Sequence, residues 1–121
     1  MTRINSGINP KSLSRQHLIA EHREIKRIPN VVAKLYSQDK LDLSNIPNSF
    51  RLGEGHVRFF YDKCGYLLKR YKQIYKECRL RKYNVTNFAS AWENVPQNLM
   101  GDWQETEEAG NLIKARMEEK L

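Results

Sequence analysis

Hydrophobic positions recur along the chain in three runs with helical spacing. The most regular is Val57, Phe60, Cys64, Leu67, Tyr71, Ile74 and Cys78, where gaps of three and four residues alternate without interruption. That period puts all seven on one face of an α-helix, the seam by which it packs. Lys69, Arg70, Lys72, Lys76 and Arg79 fall on its remaining faces. A first run, from about Ser14 to Tyr36, carries Leu18, Ile25, Ile28, Val32 and Leu35. Pro29 falls inside it and has no N–H to give Ile25, so a kink or interruption is expected there. A third run begins near Thr106, a good N-cap, with Glu107 and Glu108 at the favourable end of the helix dipole. It passes through Leu112, Ile113 and Met117 to the chain end, somewhat weakened by Gly110.

Two long stretches separate these runs. "SQDKLDLSNIPNSFRLGEG" has turn chemistry at "NIPNS" and "LGEG". "YNVTNFASAWENVPQNLMGDW" is irregular but rich in aromatic residues, so it is expected to pack on the core, with Trp92 and Trp103 as its anchors. No strand alternation, repeat or low-complexity stretch stands out. The predicted fold is all-α: a single compact domain over residues 1–121, with three main helices and two long ordered connections.

At 121 residues the chain can bury a modest core without staples. Cys64 and Cys78 lie on the same predicted helix, where a rise of about 1.5 Å per residue separates them by roughly 21 Å, too far for a disulfide. They read as small core residues of a reducing compartment. No CxxC or HExxH pair occurs, so neither a metal nor a cofactor is expected. No apolar run approaches the ~20 residues of a membrane span, and no signal-peptide core follows the start. The expected location is cytosolic or nuclear, not secreted, and the expected state is a monomer.

The net charge of +7 is unevenly placed. Residues 1–35 hold seven Lys/Arg against two acids, and residues 56–85 hold nine against two. From Thr86 onward three Lys/Arg face seven acids. Such polarity suits a polyanionic partner. On the first helix Gln16, Ala20, Arg23 and Arg27 share a face by 4-3-4 spacing, with His17 and Glu24 beside them. Arginines so spaced can grip adjacent phosphates with forked donors. Glu24 among them either has chemical work to do or forms an internal ion pair with Arg27 or Lys26. At the chain start, trimming Met1 would expose the Thr2 α-amine. Its ordinary pKa of about 7.7–8.0 leaves a nucleophilic fraction at neutral pH that lysine lacks.

The stretches "MTRIN", "QHLIAEHREIKRIP", "GHVRFFYDK" and "ARMEEK", in this order across nearly the whole chain, resemble the pyrimidine-dimer DNA glycosylase (endonuclease V) family of phages, viruses and bacteria. The resemblance implies a DNA repair glycosylase that is also an abasic-site lyase acting on double-stranded DNA. It implies Thr2 as nucleophile after Met1 removal, attacking the anomeric carbon to give a Schiff base and then β-elimination. It implies Glu24 as catalytic carboxylate, with Arg3, Gln16, His17, Arg23, Arg27, Arg116 and Lys120 as DNA-contacting residues. It also implies bent DNA and a flipped nucleotide.

Relatives continue past the last helix in a "WYKYYG"-type segment, whereas this chain stops at Leu121. The expectation therefore covers another damaged or modified base as well as the dimer. "SGINPKSLSR" carries one residue more than the family pattern and includes Pro10. Two other readings stand beside the leading one: a non-catalytic DNA-binding module of the same fold, and a glycosylase or nuclease for a modified base.

Overall fold

A computed structural model describes residues 2–119. Its α-helical segments are α1 (Arg15–Glu24), α2 (Arg27–Ser37), α3 (His56–Phe59), α4 (Cys64–Leu80) and α5 (Glu107–Glu119). Short 3₁₀ turns at Pro10–Ser12, Ala89–Trp92 and Gln97–Leu99 shape the connections. No strand occurs among the described residues, only an isolated bridge between Lys63 and Met100. The expected all-α class is observed.

The first expected helix is two. Ser14 caps α1, its hydroxyl accepting from the His17 N–H at 3.2 Å. The helix stops at Glu24, and α2 restarts at Arg27 with Pro29 in its first turn, where a missing N–H is tolerated. The carbonyl of Ile25, denied a donor by Pro29, instead takes a long 3.4 Å bond from the Ile28 N–H. So the proline acts as expected, but the break lies upstream of it, at Ile25–Lys26.

The second expected helix is also interrupted, between Phe60 and Lys63, although its apolar seam is continuous. Phe60, Cys64, Leu67, Tyr71, Ile74 and Cys78 are all buried. At the break the second long connection docks backbone to backbone: the Tyr66 N–H donates to the Gly101 carbonyl at 3.0 Å. A Cβ on Gly65 would sit 2.4 Å from the Met100 oxygen, and one on Gly101 would sit 2.4 Å from the Asp62 oxygen. Only glycines allow that approach. Spacing could not reveal it, because the contact comes from outside the helix.

Helix α4 joins two apolar clusters. Cys64, Leu67 and Tyr71 pack with Ile4, Ile25, Ile28, Val32, Phe59, Phe60 and Trp92. Ile74 and Cys78 pack with Ile8, Leu13, Leu18 and Ile113. Both cysteines are buried and unbridged, and burial pushes the Cys64 thiol up to about 12. The tryptophans anchor the second connection: Trp92 Nε1 donates to the Cys64 carbonyl at 3.0 Å, and Trp103 stacks on Phe50. Thr106 caps α5, accepting from the Ala109 N–H at 3.0 Å. No helix among the described residues is long and apolar enough to cross a membrane.

Candidate active site

Residues 2–8 form no helix, and Ile4, Asn5, Ser6 and Ile8 are buried. A non-helical segment in the interior needs partners for its backbone polar groups, and side chains from several elements supply them. Glu24 Oε1 on α1 accepts from the Arg3 N–H at 3.1 Å. His56 Nε2, at the start of α3, accepts from the Ile4 N–H at 3.0 Å. Arg70 on α4 donates from Nη1 to the Ile8 carbonyl at 2.7 Å. Tyr66 Oη donates to Ser6 Oγ at 2.9 Å, and Glu105 accepts from the Gly7 N–H. Gly7 adopts φ +83°, and a Cβ there would meet the Gly110 Cα at 2.8 Å. Gly110, a weak helix former, is thus what lets the segment lie against α5.

Beneath the segment lies a buried ion pair. Arg70 Nε and Nη2 donate to Glu21 Oε2 and Oε1 at 2.7 and 3.0 Å, with side-chain exposures of 2% and 0%. Asn5 Nδ2 adds a third bond to Glu21 Oε1 at 2.9 Å. Two forked bonds plus the amide give the carboxylate the partners a buried charge requires. Arg70 is therefore interior, not on a solvated face of α4 as expected from spacing, because Glu21 draws it in.

Arg3 and Asn5 of the segment, with Glu21, border a cleft of about 770 Å³. Arg3, Gln16, His17, Arg23, Glu24 and Arg116 line it, six of the residues singled out from sequence. Arg116 reaches it from α5, far along the chain. Thr2, half-buried, is not itself among the lining residues but is bonded to Arg3, whose N–H Glu24 holds. Arg27 is exposed at the start of α2, outside the cleft lining. Met1 and Lys120 lie outside the described residues. Pro10 opens a 3₁₀ turn capped by Asn9, between the segment and α1.

The ion pair anticipated for Glu24 has a different partner. Arg23 Nη2 lies 3.5 Å from Glu24 Oε2, with side-chain exposures of 59% and 14%, while Arg27 and Lys26 are not bridged to it. Burial first, then the Arg116 charge, lowers the Arg3 guanidinium from its ordinary value, against an upward pull from Glu24. Arginine stays charged regardless, so the cleft wall is cationic around Glu24, with the Arg70-paired Glu21 at its floor. That arrangement can hold phosphates, favour a neutral amine at residue 2, and exchange protons with a group bound there.

Glu21, Asn5, Ser6, Tyr66 and His56 are site residues that spacing and charge alone do not single out. His56 does pack, edge-on to Phe50 and Phe60, but it also holds the Ile4 amide. A signal for Glu21 existed: with His22 it fills the helical gap between Leu18 and Ile25, so an acid stands in an apolar stripe. Among the described residues no group of three or more His, Cys, Asp or Glu could hold a metal ion.

Residues 1–91 match the family model of pyrimidine dimer DNA glycosylase. The chain belongs to that family.

Proposed function

We propose that this member of the family is a DNA glycosylase with abasic-site lyase activity, its nucleophile the α-amine of Thr2 once Met1 is removed. The observation that carries the reading is the 3.1 Å bond from the Arg3 N–H to Glu24, which ties the catalytic carboxylate to the residue following the nucleophile. The amine lone pair attacks C1′ of the damaged nucleotide, the glycosidic C1′–N bond breaks, and the base leaves, taking up a proton. Ring opening gives an iminium at C1′. Loss of a C2′ proton then expels the 3′-phosphate and cuts the strand.

Each charged residue has a part in that sequence. Arg3, Arg23 and Arg116 disfavour an ammonium at Thr2 and so enlarge the nucleophilic fraction. Glu24 balances the positive iminium sugar and takes up the C2′ proton. Gln16, His17 and the arginines, including Arg27 outside the cleft, bear on the DNA backbone, and Lys120 is assigned the same role. Binding through such contacts weakens with salt. The substrate is a duplex carrying a pyrimidine dimer or another damaged base.

Incubating the protein with abasic duplex DNA and borohydride tests the reading. A covalent adduct is expected once mass shows Met1 removed. A processed protein that gives no adduct, yet still binds the duplex, is instead a non-catalytic binding module. Cleavage of dimer-containing against methyl- or hydroxymethyl-modified duplexes identifies the base.

A further inference from the structure

We propose that His56 is a positioning residue for the Thr2 amine, acting through its bond to the Ile4 N–H, and that protonating its ring releases the chain start. The proposal rests on the Thr2 reading above, and its test separates the two.

The tautomer follows from the partners. His56 Nδ1 lies 2.8 Å from the Arg51 carbonyl, which can only accept, so Nδ1 carries the proton. Nε2 is then the acceptor that faces the Ile4 N–H at 3.0 Å. His56 is 4% exposed, its ring set edge-on against both Phe50 and Phe60. Glu24 holds the Arg3 N–H from α1 and His56 holds the Ile4 N–H from α3, so consecutive amides are pinned by different elements. Removing either leaves the segment one hold just upstream of its buried stretch. Reaction geometry tolerates little of that, since a shift of about 1 Å costs on the order of a hundredfold.

Protonation reverses the contact. A charged ring carries hydrogen on both nitrogens, so an N–H would face the Ile4 N–H. The groups around it favour the neutral ring overall. Burial lowers its pKa most, and Arg3 on the segment and Arg116 on α5 lower it further. The Arg51 carbonyl and Glu21 on α1 pull the other way. The neutral acceptor is therefore the form present at neutral pH, and it persists below the ordinary histidine value of about 6.5, to be lost only as the pH falls further.

The test uses the processed full chain and an abasic duplex, with single-turnover adduct formation followed from pH 5 to 9. His56→Gln keeps an acceptor oxygen near the Nε2 position and cannot titrate; His56→Leu removes the acceptor. At pH 8 His56→Leu should lose between about tenfold and a hundredfold in rate with little change in DNA affinity, and His56→Gln should recover much of that loss. Below both titrations the wild-type rate should fall about a hundredfold per pH unit, one factor of ten from the amine and one from His56; His56→Gln should fall about tenfold. In parallel, the Ile4 amide proton shift should follow the His56 ring titration by NMR. That readout stands even if no adduct forms, an outcome that sinks the Thr2 reading alone. A Gln variant with the wild-type acid slope, or an Ile4 amide indifferent to the His56 titration, overturns the proposal.

Discussion

Glu21 and Glu24 stand one turn apart on α1 and have opposite fates. Glu21 points into the interior, fully buried, with both oxygens bonded to Arg70 and a further bond from Asn5. Glu24 faces the cleft with one oxygen on the Arg3 amide and the other toward the half-exposed Arg23. Three residues rotate the helix by less than a full turn, enough to move a carboxylate from the seam to its edge. Both reach the same N-terminal segment, Glu21 through the Asn5 amide and Glu24 through the Arg3 N–H. Both acids hold the segment, but the interior one is closed off by Arg70 while the edge one stays open to the cleft, as the proposed chemistry requires.

Breaking each carboxylate in turn should separate the roles. Glu24→Gln should slow strand scission by about 10²–10⁴-fold while the urea midpoint hardly moves, because its ionic partner is a surface arginine. Glu21→Ala should cost about 3–5 kcal/mol in urea unfolding, since Arg70 is left as an uncompensated buried charge. A Glu21 variant as stable as the wild type would erase the contrast.

A third substitution addresses the segment that both acids hold. Gly7→Ala puts a Cβ against the Gly110 backbone at a positive φ, and should lower stability by about 1–3 kcal/mol. The smallest expected effect is that of pH. Burial lowers the pKa of both His56 and His22 in the folded state. The unfolded chain then binds more protons, so stability is intact above about pH 6.5 and declines as pH falls from there toward the folded values. Thermal melts from pH 8 to 5 should show that decline, reduced in His56→Gln.

Much of this arrangement was legible in the sequence. The seam of α4, the Thr106 cap and the helix-breaking effect of Pro29 followed from local rules of spacing and hydrogen bonding. Gln16, His17, Arg23 and Glu24 reach one cleft because a helix puts neighbours at three and four residues on one side. Arg3 and Arg116 share that cleft through tertiary packing, which spacing does not encode; they entered through family resemblance. The break before Cys64 was hidden for the same reason, being set by the backbone at Met100 and Gly101. So was the Glu21–Arg70 pair, although an acid inside an apolar stripe could have announced it. Arg70, grouped with the other cations of α4, lies three residues from Leu67 and four from Ile74 and so borders the seam, unlike Lys69 on the opposite face.

The central claim is that the chain's second residue does the chemistry beside Glu24. Its most direct test is to map the borohydride adduct by tandem mass spectrometry after proteolysis. The expected result is a reduced sugar remnant on the α-amine of Thr2, absent when that amine is blocked. An adduct on a lysine side chain, with the Thr2 amine unmodified, would contradict it.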